Sequence, residues 1–405
     1  MNGAKSLVET LLQSGIDTCF ANPGTSEMHF VAALDQSDGM QCVLGLQENI
    51  VTGMADGYYR IAGKPACTLL HCGPGLANGL GNLHNARRAR SGVLNIVGDQ
   101  ATYHRPLDAP LTADTDAMAR TVSQWVRTSA GAADLGRDAA AAVQAARTFP
   151  GQISTLIVPS DVSWDDGGLV AAPMTPPVPP AVDGSAIDNA ARVLRGHGNV
   201  LILLAGQAVM SESQALAWRI ASATGASVMA DFVTPHLARG RGRLQLDRVP
   251  YVMDVAIEAL RRFEHIILVN AKAPVGFFAY PGKPSTLYQP QTQLHVLARP
   301  DQEPVQALRG LAEALNAPQT SIPDPGPRPQ VASGHPTPEG LAQTVAALMP
   351  EHAIVSDEVF PMVAASTDTH TRRRHTIGCI LPVAPLVTVS PSQPVPQSER
   401  EGNAA

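Results

Sequence analysis

A chain of 405 residues is too long for one ordinary core and is expected to divide into two or three domains. A hydrophobic fraction of 44% beside 16% charged residues describes a globular protein and excludes wholesale disorder. A net charge of -6 offers no basic face for nucleic acid or an anionic membrane. No run approaches the about 20 apolar residues of a membrane span. Met1 to Ser14 carries one Lys and no secretory pattern, so the expected location is cytoplasmic. The five cysteines, Cys19, Cys42, Cys67, Cys72 and Cys379, are scattered, odd in number and without metal-ligand spacing. They read as reduced thiols, most of them in the core, with no metal site.

In chain order, Ala4 to Gly15 puts Leu7, Val8, Leu11 and Leu12 on one helical face, with Gly15 as its stop. Thr18 to Ala21 is a short strand ending at the turn Asn22-Pro23-Gly24, after which Thr25 or Ser26 can cap the next helix. Cys42 to Leu44, Ala66 to Leu70, Val93 to Val97 and Thr155 to Val158 are further apolar runs, most of them separated by helical stretches. Strands apolar on both faces, alternating with helices, predict a doubly wound parallel α/β sheet over residues 1–166. A Pro-rich linker spans 167–184. The pattern resumes over 185–318 with strands at Asn199 to Leu204, Ser227 to Ala230 and His265 to Asn270 and a helix at Ser211 to Thr224, a second, middle α/β domain. A second linker fills 319–337. A helix at Thr337 to Leu348 and a strand at Ala353 to Ser356 read as the opening of a third domain within 338–370. What remains after Asp357 is shorter than the about 100–150 residues of a typical domain. The stretch 371–405, with Pro382, Pro385, Pro391, Pro394 and Pro396, is expected to be largely disordered.

Three loops follow strands of the first sheet and could carry chemistry. Glu48 opens a helix rich in small residues; an acidic residue there also suits the helix dipole. His71-Cys72-Gly73-Pro74-Gly75-Leu76-Ala77-Asn78 follows the strand Ala66 to Leu70, and its glycines allow close backbone approach. Asn22-Pro23-Gly24-Thr25 follows the first strand. Each has a plain structural explanation as a turn or cap, but all three fall at the carboxyl end of one sheet, where such folds place ligands.

Asn22-Pro23-Gly24-Thr25-Ser26-Glu27, Gln47-Glu48 through Gly57-Tyr58-Tyr59-Arg60, Gly73-Pro74-Gly75, Asn82-Leu83-His84-Asn85-Ala86 and Val97-Gly98-Asp99-Gln100 together resemble the pyrimidine-binding domain of thiamin-diphosphate-dependent enzymes. The likeness is to the acetolactate synthase and benzoylformate decarboxylase branches, and residues 185–318 resemble the family's middle domain more loosely. The resemblance implies that Glu48 hydrogen-bonds the cofactor's aminopyrimidine and favours the imino tautomer that takes the proton from the thiazolium carbon. That role calls for a carboxyl group shielded from water, whose pKa desolvation raises. Gln47 stands where the family often has His. His71 aligns with a proton-transfer histidine of the decarboxylase branch and Thr25 with a hydroxyl that holds the substrate carboxylate, whereas Gly73-Pro74-Gly75 is more like acetolactate synthase. Pro23, Gly24, Gly73 and Asn78 are implied cofactor contacts. The implied reaction is decarboxylation or carboligation of a 2-oxo acid such as pyruvate.

The family's Mg²⁺-diphosphate signature, Gly-Asp-Gly with a downstream Asn, is not in the sequence. Ile354-Val355-Ser356-Asp357-Glu358, Ile377-Gly378 and Leu381-Pro382-Val383-Ala384 resemble only the opening of that third domain. The expectation is a C-terminally truncated chain that is inactive alone and holds half of each site. The expected partners are a second copy, in a homodimer or larger assembly, or a separate chain carrying the diphosphate domain, which would complete the site of a split enzyme; the other reading is a non-catalytic remnant or assembly partner. FAD in the middle domain is the weakest expectation, since Gly206-Gln207 lacks the Gly-x-Gly-x-x-Gly pattern.

Overall fold

The computed structural model describes residues 1–196 and 198–357 and the backbone of 376–380. The first unit runs α1 (Gly3–Gln13), β1 (Thr18–Asn22), a 3-10 turn (Thr25–Glu27), α2 (Met28–Asp35), β2 (Gln41–Leu44), α3 (Glu48–Ala62), β3 (Ala66–Leu70), α4 (Cys72–Ala89), β4 (Val93–Asp99), α5 (Thr115–Arg120), β5 (Trp125–Thr128), α6 (Ala132–Arg147), β6 (Ile153–Pro159) and α7 (Ser160–Trp164). Its strands form one parallel sheet in the order β2-β1-β3-β4-β6-β5. The central strands β3, β4 and β6 are buried along their whole length. One face packs Leu7, Leu11, Cys19, Leu69, Ile96, Leu135 and Val143 into a core under α1, α2 and α6. The other packs Phe20, Val51, Leu70, Leu76, Leu83 and Val97 under α3, α4 and α5. Two buried faces explain why these strands read as continuous apolar runs.

Helices α3 and α4 set the position of the candidate site, and they approach closely because small residues line their contact. A Cβ on Gly53 would lie 2.7 Å from Asn82 Nδ2, and one on Gly79 would lie 2.9 Å from Thr52 Cγ2. Polar groups lock the register: Thr52 Oγ1 donates to Gly79 O at 3.1 Å, Asn82 N to Asn49 Oδ1 at 2.9 Å and Asn82 Nδ2 to Asn49 O at 2.7 Å. Gly63, at φ +68, ends α3 in the left-handed conformation that glycine adopts without steric cost.

No helix or strand lies between Asp165 and Asp183, the span of the expected first linker. The second unit contains α8 (Gly184–Leu194), β7 (Val200–Leu204), α9 (Ser211–Thr224), β8 (Ser227–Ala230), β9 (Leu237–Arg239), β10 (Asp247–Arg248), α10 (Met253–Leu260), β11 (His265–Val269), β12 (Gln293–Ala298) and α11 (Pro304–Ala314). Five strands form a second parallel sheet, β10-β8-β7-β11-β12. Beyond it come α12 (Pro338–Leu348) and β13 (Ile354–Asp357), and β14 (Thr376–Ile380) pairs parallel with β13 and antiparallel with β9. Thr376–Ile380, inside the stretch expected to be disordered, is therefore a strand that ties the third unit to the middle one. Glu358, Leu381 to Ala384, and the rest of 371–405, to which the tail reading also applied, lie outside the described residues. Among the described residues no helix is long and apolar enough to cross a membrane.

Strands β5, β9, β10 and β12 went unread in the sequence. Strands β5 and β12 are only half-buried, and β9 and β10 have three and two residues, so none carries a long continuous apolar run. Neither Thr25 nor Ser26 caps the helix after β1. Gly24 stands at the N-cap and the Glu27 carboxylate reaches back to its amide at 2.8 Å, because the chain first makes a 3-10 turn.

Candidate active site

From β1 the chain passes to β2 on one side, and from β3 to β4 on the other, so the loops after β1 and β3 diverge. Such a switch point opens a crevice at the carboxyl ends of parallel strands. Gly24 to Glu27 line one wall and His71 and Cys72 the other. Cys72 takes φ +49, a left-handed conformation that cysteine rarely enters, at the sharp turn from β3 into α4.

Glu27 is the buried carboxylate of the crevice, 3% exposed. Its Oε2 accepts from the Gly24 amide and lies 2.8 Å from His71 Nδ1, while its Oε1 accepts from the Ser26 hydroxyl. Ser26 Oγ also lies 3.1 Å from His71 Nδ1 and 3.0 Å from Cys72 Sγ. An ionised carboxylate only accepts, so Nδ1 of a neutral His71 carries the proton and Nε2 is left to take one. Burial pushes the Cys72 thiol up to about 11 against the Ser26 hydrogen bond. Asp99, at the end of β4, is 1% exposed and is raised by the same cause, against the Gln100 amide and the Arg105 guanidinium 3.4 Å away. Gly98 must lack a side chain, because its Cβ would lie 1.7 Å from Glu27 Oε1.

Glu48 opens α3, where Gln47 caps the helix through Asn49 N at 2.7 Å and Ile50 N at 3.3 Å. Asn78 Nδ2 donates to Glu48 Oε2 at 3.0 Å. Gly75 lies between Glu48 and His71: a Cβ there would be 3.3 Å from Glu48 Oε1 and 3.4 Å from His71 Cβ. Glu48, Asn78, Gly75 and His71 thus meet at one end of the sheet, as do Gly24 and His71, where an added Cβ would sit 2.3 Å from Nδ1.

Other expected contacts fall elsewhere. Thr25 and Pro23 are exposed, and the hydroxyl turned onto His71 is that of Ser26. Gly73 is buried, and its missing side chain makes room for Ala113, whose Cβ a Gly73 Cβ would approach to 2.4 Å. Glu48 is only half-buried within this chain, so the shielded carboxyl group is Glu27 instead. Glu27, Ser26 and Cys72 were missed as site residues. The signal for Glu27 was its place three residues after Gly24, the spacing of a reciprocal cap. Cys72, read in the sequence as one of several scattered thiols, joins Glu27 and His71 in a cluster whose potential ligand atoms lie within 4.8 Å of one another.

Comparison with known proteins decides what this end of the sheet belongs to. Residues 1–122 match the thiamine pyrophosphate enzyme N-terminal TPP-binding domain. The whole chain aligns at 45% identity with 80% of a Mycobacterium tuberculosis protein provisionally described as acetolactate synthase large subunit IlvX. This chain belongs to the thiamin-diphosphate-dependent enzyme family. A second relative, benzoylformate decarboxylase of Pseudomonas aeruginosa, is 33% identical over 154 residues, which are 38% of this chain and 29% of that protein. Among solved structures, a thiamin diphosphate-dependent 4-hydroxybenzoylformate decarboxylase of Rhodococcus jostii superposes with a TM-score of 0.75 at 21% identity, over 94% of this chain and 75% of the other. A Mycobacterium smegmatis protein provisionally described as a thiamin diphosphate-dependent enzyme gives 0.78 at 22%, over 94% and 77%. At that identity the likeness is one of fold, and it extends through both parallel sheets.

The cofactor of this family is thiamin diphosphate, and the residues in hand fit its aminopyrimidine. A carboxyl group at a helix start, a neighbouring amide donor and a glycine that adds no side chain beside that carboxyl group are the chemistry an aminopyrimidine edge calls for.

Proposed function

We propose that this chain supplies the aminopyrimidine face of a thiamin diphosphate site that acts on a 2-oxo acid such as pyruvate, by decarboxylation or carboligation. The observation that carries the reading is the placing of Glu48 and His71 on either side of Gly75, beyond the carboxyl ends of β2 and β3, the two strands that flank β1. When bound, thiamin diphosphate supplies a carbon nucleophile and stores the electron pair released with carbon dioxide. Glu48 shares a proton with the pyrimidine ring and is held in place by Asn78. His71, oriented through Nδ1 by Glu27 and Ser26, offers Nε2 to a reacting oxygen or carbon. Half-burial of Glu48 in one chain fits a site closed by a second surface that completes its desolvation. That surface would carry the diphosphate and Mg²⁺ ligands, which are not among the described residues, and would come from a separate chain bearing the diphosphate domain.

Calorimetric titration of the chain with thiamin diphosphate and Mg²⁺ tests this. The half-site reading expects weak binding that tightens when a chain carrying Gly-Asp-Gly is added, and that Glu48→Gln weakens in both settings. Tight Mg²⁺-dependent binding by the chain alone would overturn the half-site reading. Binding that ignores Glu48→Gln would overturn the assignment of that residue.

A further inference from the structure

Three cysteines widely separated in sequence stand side by side in the first sheet. Parallel pairing puts Cys19 of β1 opposite Cys42 of β2 on one side and opposite Cys67 of β3 on the other. All three project to one face. Cys19 and Cys67 pack in the core under α1 and α2, whereas Phe20 and Val43, one residue on, pack on the opposite face. Adjacent strands are about 4.8 Å apart, so the three Cβ atoms form a row at about that interval. Strand β2 is the sheet edge, and Cys42 is exposed there while Cys19 and Cys67 are fully buried. The row therefore opens to solvent at one end. The neighbouring Cys19 thiol and then burial push the Cys42 thiol well above its ordinary range.

We propose that Cys42 and Cys19 form a two-sulfur site for a soft, thiophilic metal ion of the monovalent copper type, entered from solvent at Cys42, with Cys67 as the next sulfur inward. Thiolates select such ions over the harder divalent cations. In-register parallel strands hold their Cβ atoms about one strand spacing apart, wider than the about 3.8 Å of a disulfide, and an ion between the sulfurs spans that gap where a direct bond strains it. On binding, two metal–sulfur bonds form and the thiol protons leave to solvent. Neither copper nor sulfur changes oxidation state. The site stands apart from the crevice at Glu27, His71 and Cys72, and it does not rest on the proposed function.

The test uses the full chain with Cys72→Ser and Cys379→Ser, to remove the other thiols, titrated anaerobically with copper(I) against a chromogenic copper(I) chelator. The expected result is one copper withheld per chain, with Cys42 the fastest thiol to react with Ellman's reagent and protected once copper is bound. Cys42→Ser, a change at an exposed edge, is expected to keep the circular dichroism spectrum and weaken copper binding by at least about 100-fold. Equal binding by the Cys42→Ser chain would overturn the proposal. So would a Cys42 no more reactive than the two buried thiols, or a reduced chain that withholds no copper.

Discussion

The two parallel sheets differ in strand number and order but share a switch point, and the comparison shows where function enters such a fold. Each has a switch point, between β1 and β3 in the first and between β7 and β11 in the second. In the first, the diverging loops bring Ser26, Glu27, His71 and Cys72 together, with Glu48 across Gly75. In the second, Gly206 and Asn270 turn the chain at φ +52 each, and the Asn270 amide nitrogen is taken up by Arg299 O at 2.7 Å and Gln302 O at 3.0 Å. Residues Gly206–Val209 make a 3-10 turn, not the long helix N-terminus that would favour a phosphate. A crevice opens at each switch point, and among the described residues it is in the first that a carboxylate, an imidazole and a thiol meet.

The largest expected effect lies at that centre. Glu48→Gln keeps the hydrogen bond with Asn78 but cannot share a proton with the cofactor. In an assembly that turns over a 2-oxo acid, kcat is expected to fall by about 10²–10⁴-fold with the circular dichroism unchanged. The rate at which the thiazolium carbon exchanges its proton for deuterium should fall with it. A variant that keeps full exchange would place the chemistry on another carboxyl group, and Glu27 would be the next to test.

Arg60 links the two units. Its guanidinium pairs with Asp56 at 2.6 Å, both side chains 2% exposed, and reaches Pro235 O of the middle unit at 3.3 Å. Asp56 also accepts from Ser91 at 2.5 Å. Removing one partner of a buried pair strands the other charge, so Arg60→Ala is expected to destabilise by about 3–5 kcal/mol. Cleavage by a protease between Asp165 and Asp183 should also become faster. An Arg60→Ala chain that melts like the parent and is cleaved no faster would mean that the units are held together elsewhere.

A pH effect separates the units further, because His236 of the middle unit is 7% exposed and pushed down to about 4 by burial and then by Arg60. Unfolding restores its ordinary value near 6.5, so between pH 6.5 and 4 the unfolded chain binds more protons and stability falls as pH falls. The span corresponds to about 3 kcal/mol. Asp231, raised to about 6 by burial, works in the opposite direction between its ordinary 3.8 and 6. The parent's acid profile is therefore flattened, and the clean measurement is the difference between parent and His236→Asn in urea melts at pH 7 and pH 4.5. The variant should lose less stability on acidification. An equal loss would place the acid sensitivity on other groups.

Much of the first sheet was legible in the sequence because its strands are buried on both faces, and Ala66–Leu70 appears with the bounds that were read for it. The loops that carry Glu48 and His71 were legible for a related reason: glycines and prolines mark the strand ends that face a ligand. What could not be read is what depends on register. Cys19, Cys42 and Cys67 share no sequence spacing and meet only because β2 and β3 flank β1 in step. Likewise, whether Thr25 or Ser26 faces the crevice turns on the 3-10 turn at Thr25–Glu27, whose tighter pitch rotates neighbouring side chains away from helical positions.

That last distinction sets the smallest and sharpest test of the crevice. The Ser26 hydroxyl donates to Glu27 and touches both His71 Nδ1 and Cys72 Sγ, whereas Thr25 is exposed. Ser26→Ala removes a hydrogen bond to a buried carboxylate and is expected to cost about 1.5–3 kcal/mol. It also removes the contact that lowers the Cys72 thiol, so alkylation of Cys72 is expected to become slower. Thr25→Ala touches neither group and is expected to stay within about 0.5 kcal/mol of the parent. Measuring Cys72 alkylation and urea melts on the pair separates two readings of the wall after β1. If Thr25→Ala shifts both quantities and Ser26→Ala neither, the inward hydroxyl is that of Thr25, and the orientation of His71 by Ser26 falls with it.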